Sequence, residues 1–194
     1  MKTALIFPGQ GSQYVGMGYD FYSNFQNARD IYEKLDKTIG YNLSDIIFNG
    51  DESQLSITIN SQPAIMTTSI AILEVLISQG KINQDSYQCV GGHSLGEYSA
   101  LVANNSISYE DSVRLLKVRS KAMHDSVPIG KGGMAALIGV NNNNLDKTIE
   151  NAKVHGKIYV ANDNMEGQVV VSGEISAIEY IINNARDLGF KKAI

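Results

Sequence analysis

The chain has 194 residues, 43% of them hydrophobic and 19% charged, with only three prolines, which excludes the disordered, collagen-like and disulfide-stapled classes. A chain of this size buries roughly 70% of the surface its unfolded form exposes, enough for one sizeable core or a core plus a small satellite domain. The formal net charge of -4 offers no basic footprint for phosphate, so no nucleic-acid partner is expected.

Cys89 is the only cysteine, which rules out an internal disulfide or a multi-cysteine metal cage and is compatible with a reducing compartment. Met1-Lys2-Thr3 leads into four apolar residues before Pro8, too few for the apolar region of a signal peptide. No run approaches the ~18 apolar residues of a membrane span. The expectation is a cytoplasmic chain with no membrane partner.

Residues 2–7 form a short, bounded apolar run that reads as a buried strand, stopped by Pro8-Gly9-Gln10-Gly11. From Phe25 onward Ala28, Ile31, Tyr32, Leu35 and Ile39 recur at helical spacing, with Gly40 as the stop. The next helix is predicted to open with Ser61 as N-cap and Pro63 in its first turn, to carry Ile65, Ser69, Ile72, Leu73 and Leu76 on one side, and to end at Gly80. Residues 87–91 read as another short strand, and Gly92-His93-Ser94-Leu95-Gly96 turns directly from it into a helical stretch through Ala103. Ser108, with Asp111 three residues on, resembles a capping box and opens a helix carrying Val113, Leu116, Arg119 and Met123 toward Pro128. Strands alternating with helices predict an α/β unit with a mostly parallel sheet.

The order changes after Gly130-Lys131-Gly132-Gly133. Residues 134–140 read as a strand, 145–154 as a helix, 158–161 and 168–172 as two strands, 175–188 as a helix, and a last strand begins near Phe190. This β-α-β-β-α-β order is the ferredoxin-like pattern, and the glycines look like the hinge of a small inserted domain. The expected domains are 1–128 and 129–194, the last strand of the second being cut short. The asparagine run 141–144 reads as a polar turn without chemistry.

Gly92-x-Ser94-x-Gly96 satisfies G-x-S-x-G between a predicted strand and a predicted helix. A serine on such a strained turn projects its hydroxyl clear of the backbone, the glycines relieve crowding, and the helix N-terminus favours a developing oxyanion. The Leu95 amide is then a natural oxyanion donor; the structural alternative is a plain Gly-rich turn with a capping serine. Gly9-x-Gly11 after the first strand invites the dinucleotide fingerprint, but that pattern needs a third glycine where Tyr14 stands. The other reading is a second backbone donor loop, with Gln10 aimed at the pocket of Ser94.

Arg114, Lys117 and Lys121 form a solvated stripe at i, i+3 and i+7, whereas Arg119 lies roughly opposite, between Leu115, Leu116 and Met123. A guanidinium on an apolar face needs a carboxylate, from a ligand or from the protein as a structural salt bridge. His93, His124 and His155 are the only histidines, each reads as structural or solvated rather than as the base of Ser94, and no pair has metal-ligand spacing. Cys89 reads as a small buried hydrophobe.

Phe7-Pro8-Gly9-Gln10-Gly11-Ser12-Gln13, Ser61-Gln62-Pro63-Ala64, Gly92-His93-Ser94-Leu95-Gly96-Glu97-Tyr98-Ser99-Ala100 and Val118-Arg119-Ser120-Lys121-Ala122-Met123, with Gly167-Gln168-Val169-Val170 after Asn162, together resemble the malonyl-CoA:acyl carrier protein transacylase family. The resemblance implies an α/β-hydrolase-like domain with a ferredoxin-like insert and a ping-pong acyl transfer. Ser94 would attack the thioester of malonyl-CoA, the amides of Gln10 and Leu95 would hold the oxyanion, and Arg119 would pair with the malonyl carboxylate. The phosphopantetheine thiol of acyl carrier protein would then take the acyl group. Gln62 and Met123 match pocket positions, and Asn162 and Asn164 match an insert loop near the pantetheine arm. No metal and no organic cofactor is implied, coenzyme A entering as substrate.

The resemblance also implies a histidine base just beyond the strand that begins at Phe190, and so beyond Ile194, making these 194 residues the first two-thirds of an enzyme with an incomplete sheet. The alternatives are an inactive fragment or carrier-protein-binding module that acts without catalysis, or an acyl hydrolase using the same elbow.

Overall fold

Ala4–Phe7 forms strand β1, and it pairs in parallel with β2, Cys89–Gly92, Ala4 standing opposite Cys89 and Phe7 opposite Gly92. The computed structural model that shows this describes residues 3–128 and 130–194. Lys2, the expected start of the first strand, and Ile129, the expected start of the second domain, lie outside the described residues. The chain divides into two compact units, Met1–Asp125 and Ser126–Ile194.

In the first unit the helices are α1 (Tyr19–Asn24), α2 (Gln26–Ile39), α3 (Leu43–Asn49), α4 (Glu52–Ser56), α5 (Thr58–Ser78), α6 (Gly96–Ala103) and α7 (Tyr109–Asp125). The apolar spacing read in α2 buries Ala28, Ile31, Tyr32, Leu35 and Ile39, and Gly40 closes the helix at φ 91 with its N–H on the Asp36 carbonyl, a left-handed cap that glycine adopts without a Cβ penalty. Helix α5 is central, packing on α2, α6 and α7, and its first half is buried on nearly every side.

Helix α5 begins earlier than expected. Ser61 is not the N-cap: Ile57 is, the Ile57 carbonyl accepts from Asn60 and Ser61, and Pro63 lies inside the helix. Tertiary contacts extend it, since Asn60 donates to the Gln54 carbonyl and accepts from the Tyr41 hydroxyl, each over 2.8 Å, which outweighs the single ladder bond that Pro63 forgoes. By length and composition this helix is also apolar enough to cross a membrane, contrary to the expectation, but 67% of that window is buried inside the protein, as in a core helix.

Two expectations of burial fail at the sheet. Strand β1 buries Phe7, but Ile6 is 73% exposed, and Cys89 on β2 is exposed rather than buried. Among the described residues β1 and β2 pair only with each other, so no further strand covers them. A cavity of about 690 Å³ opens beside β1, lined by Leu5, Phe7, Ile65, Ile72, Leu73 and Leu76; the expected apolar side of α5 faces it.

The second unit carries β3 (Gly132–Ile138), α8 (Asn142–Ala152), β4 (Ile158–Met165), β5 (Gln168–Glu174), α9 (Ile175–Asn183) and β6 (Lys192–Ala193). Its antiparallel sheet has the order β4-β5-β3-β6, the arrangement a β-α-β-β-α-β chain adopts when both helices cover one face. Ala135, Leu137, Val171, Ile158, Ile178 and Ile181 form its core. The asparagine run is more than a turn: the Asn141 side chain accepts from the Asn144 amide over 2.9 Å, capping α8. Helix α9 ends at Asn183, short of the expected residue 188, and turns lead on to Phe190.

Candidate active site

Strand β2 delivers the chain to Ser94, which has φ 55 in the left-handed region, a conformation that costs a non-glycine residue free energy and marks functional turns. The flanking glycines are required by close approach. A Cβ on Gly92 would stand 2.0 Å from the Gly96 carbonyl carbon, and one on Gly96 would stand 2.5 Å from the Phe7 oxygen. Leu95 is the N-cap of α6 and is buried, whereas Ser94 is exposed. The elbow is therefore a tight strand-to-helix turn that lifts one hydroxyl out of the backbone, with α6 directing its positive end toward it.

The loop after β1 lies beside this elbow, because Phe7 pairs opposite Gly92 and the Phe7 carbonyl accepts from the His93 amide over 3.3 Å. The loop is tied internally: the Gly11 amide donates to Gln13 over 2.8 Å and Ser12 donates to the Gly9 carbonyl over 2.8 Å. Gln10 donates through its side chain to the Thr58 hydroxyl over 3.3 Å. Among the described residues the amides of Gln10 and Leu95 donate to no backbone carbonyl in the turns and loops, which suits both to an oxyanion.

Helix α7 opens as expected, Ser108 accepting from the Asp111 amide over 3.1 Å and donating to the Asp111 carboxylate over 2.8 Å. The serine bond and the adjacent Arg114 hold the Asp111 carboxyl below its ordinary range. The buried face of α7 is Tyr109, Ser112, Val113, Leu116 and Ser120. Arg119 stands at the edge of that face, since Leu115 and Met123 are 48% and 45% exposed, so the expected apolar setting is only partial. Lys117 is likewise not simply solvated, because its ammonium donates to the Ile39 carbonyl at the end of α2 over 2.6 Å.

Arg119 is not in a structural salt bridge among the described residues, where the ion pairs are Arg114–Asp111, Lys121–Asp125 and Lys153–Glu150. Its partners are neutral. Nη1 donates to Gln62 Oε1, Nη2 donates to Ser94 Oγ over 2.9 Å, and the guanidinium lies 5.7 Å from the Tyr98 ring centroid. Gln62 is fully buried on α5 and donates through Nε2 to Met123 Sδ over 3.3 Å. The structure thus joins Ser94, Arg119, Gln62 and Met123 in one chain of contacts, with Leu95 next to Ser94 and Gln10 in the neighbouring loop.

Asn162 and Asn164 belong to the second unit, and both sit in strand β4 rather than in a loop, Asn162 just after the register shift at 160/162 and Asn164 within the one at 163/165. His155 stacks on Tyr180 at 4.1 Å between ring centroids and its carbonyl accepts from Ser176, a structural role; His124 lies in the last turn of α7. Two residues at the site had no assigned part in the sequence reading. Tyr98 could have been found from its place in the first turn of α6, one helical turn beyond Ser94, and Thr58 from its place one turn before Gln62.

The protein-family comparison matches residues 4–194 to the acyl transferase domain. The malonyl CoA-acyl carrier protein transacylase of Bacillus subtilis (strain 168) is 41% identical over all 194 residues, which cover 60% of that protein. Among solved structures, the acyl-carrier-protein-S-malonyltransferase from Bartonella henselae matches the whole chain with a TM-score of 0.90 and 42% identity, 62% of that protein being covered. A malonyl-transacylase solved in complex with its type II PKS acyl-carrier protein matches the whole chain with a TM-score of 0.88 and 34% identity, again over 62% of its length. The chain spans about 60% of the length of the curated relatives it matches. With the family match running from β1 to the last residue, and with a strained Ser94 elbow at its centre, the chain belongs to the acyl transferase domain family.

Proposed function

We propose that the chain carries the acyl-accepting machinery of a malonyl-CoA:acyl carrier protein S-malonyltransferase. The observation that carries this reading is the 2.9 Å contact between the Arg119 guanidinium and the Ser94 hydroxyl. A cation that close to a nucleophile suits an acyl group whose own carboxylate is close to the reacting carbonyl. In a malonyl thioester the carboxylate carbon is two C–C bonds, about 2.5 Å, from the thioester carbon. Arg119 uses one N–H on Gln62 and one on Ser94, so three of its five donors are left for the acid. The names of the relatives, which pair malonyl CoA with acyl carrier protein, support the same substrates and partner, and no metal or organic cofactor enters the reading.

In the first half-reaction Ser94 Oγ bonds to the thioester carbon, the carbonyl oxygen gathers charge against the amides of Gln10 and Leu95, and the C–S bond breaks as coenzyme A leaves as its thiol. Arg119 donates to Ser94 Oγ and cannot take its proton; in our reading a histidine base takes it and passes it to the departing sulfur, as the family resemblance implies. In the second half the carrier phosphopantetheine thiol attacks the malonyl ester and Ser94 is restored. Asn162 and Asn164 are assigned to the pantetheine arm on the resemblance alone. An acyl hydrolase on the same elbow would leave the charge of Arg119 without a purpose.

The test is an intact-mass spectrum of the chain after incubation with malonyl-CoA, beside a Ser94→Ala control. A malonyl adduct that is absent from the control is the expected result. An adduct that persists in Ser94→Ala, or an equal yield from acetyl-CoA, overturns the reading.

A further inference from the structure

We propose that Met123 is a positioning residue for the acid-reading site, its thioether fixing the orientation of the Gln62 amide and, through it, the guanidinium of Arg119. The inference rests on the reading of Arg119 as the carboxylate partner. Gln62 is fully buried, so each end of its amide must find a partner within the protein. Its oxygen accepts from Arg119 and its nitrogen donates to Met123 Sδ over 3.3 Å. A guanidinium can only donate, and a thioether can only accept. Both neighbours therefore select the same one of the two amide orientations, which is the one that holds Arg119 in place.

The helix makes this arrangement possible. Arg119 and Met123 are four residues apart on α7, hence on one face and one above the other, and the two side chains reach the same amide from α5. Met123 is 45% exposed, too open to be explained as core packing. Without the sulfur the buried NH2 group loses its acceptor, and a flipped amide would aim N–H groups at a cation. Arg119 would then be released from Gln62, and its remaining donors would no longer be fixed relative to Ser94. A neutral hydrogen bond of this kind should change malonyl over acetyl selection by about five-fold.

The experiment measures dissociation constants of malonyl-CoA and acetyl-CoA by calorimetry for the 194-residue chain, Met123→Leu, Gln62→Leu, the double variant and Met123→Gln. Leucine keeps the volume and removes the acceptor; glutamine restores an acceptor oxygen. The expected result is malonyl-CoA binding weakened about five-fold in Met123→Leu with acetyl-CoA changed by less than about two-fold, recovery in Met123→Gln, and no further loss when Met123→Leu is added to Gln62→Leu. An unchanged preference in Met123→Leu, an equal weakening of both thioesters, or the same loss in the Gln62→Leu background overturns the positioning role. A starting chain without preference for malonyl-CoA sinks the Arg119 reading and this inference with it. A preference that survives Met123→Leu sinks this inference alone.

Discussion

Arg119 Nη2 donates to Ser94 Oγ over 2.9 Å while Nη1 holds Gln62, so one planar fork spans the nucleophile and a buried amide. Lysine offers a compact charge at the end of a flexible stem and cannot hold two partners in fixed directions. Arg119→Lys is therefore expected to retain part of the charge effect and lose most of the selectivity, by about 10- to 100-fold, the range for a charged hydrogen bond. Competition between malonyl-CoA and acetyl-CoA for the Ser94 adduct, read by mass, checks it. A lysine variant as selective as the parent chain would show that charge alone suffices.

The elbow holds free energy that a different residue would release. Ser94 sits at φ 55, where a Cβ costs roughly 1 kcal/mol and glycine costs nothing. Ser94→Gly should raise stability toward urea by about 1 kcal/mol while abolishing the adduct. Gly92→Ala works in the opposite sense, since its Cβ would meet backbone 2.0 Å away and no side-chain rotation relieves that. Its expected cost is above about 3 kcal/mol, read from the same unfolding curves. A tolerated Gly92→Ala would mean that the turn is looser than its geometry indicates.

What the sequence made legible is what is decided locally. The glycines around Ser94 are needed by atoms within five residues or by the paired strand, so G-x-S-x-G between a strand and a helix carried the elbow. The helical wheel turned Arg119 away from Arg114 and Lys121, yet its partner Gln62 lies 57 residues away, and nothing in α7 announces it. Ser61 and Pro63 are a strong local start signal, overridden because Tyr41 and Gln54 hold Asn60 and prolong α5 backward. Cys89 was assigned to the interior by residue type, but exposure of a strand depends on its neighbours, and β2 pairs only with β1 among the described residues. Asn162 and Asn164, placed in a loop by the family resemblance, lie in β4, where Asn162 pairs opposite Val170 of β5 and Asn164 falls at a register shift.

Helices α5 and α7 are joined by a buried hydroxyl pair as well as by apolar contact. Thr67 on α5 and Tyr109 on α7 share a hydrogen bond of 2.8 Å, and both residues are buried. Tyr109→Phe leaves the Thr67 hydroxyl without that partner, at an expected cost of about 1–3 kcal/mol. Adding Thr67→Val removes the orphaned group, so the double variant should be less destabilised than the two single losses summed. Strict additivity in urea unfolding would count against a shared bond.

Alkaline pH should weaken the first unit by a related route. Burial raises the Tyr32 hydroxyl from 10.0 to about 12, against a smaller lowering from its bond to Thr68, and burial pushes Tyr109 higher still. The sign follows from proton binding: the folded chain keeps these protons where the unfolded chain has released them. Their contribution is thus complete below the unfolded value near 10 and is lost as pH rises toward about 12 for Tyr32, at about 1.4 kcal/mol per residue for each pH unit crossed. Urea midpoints should fall from about pH 9 to about pH 11 accordingly, and Tyr32→Phe should show a shallower fall because one of the retained protons is gone. Phenolate absorbance gives the independent check: of the ten tyrosines, Tyr32 and Tyr109 should titrate only on unfolding. A flat stability over this range, or full phenolate absorbance in the folded chain, would show that these hydroxyls are open to solvent.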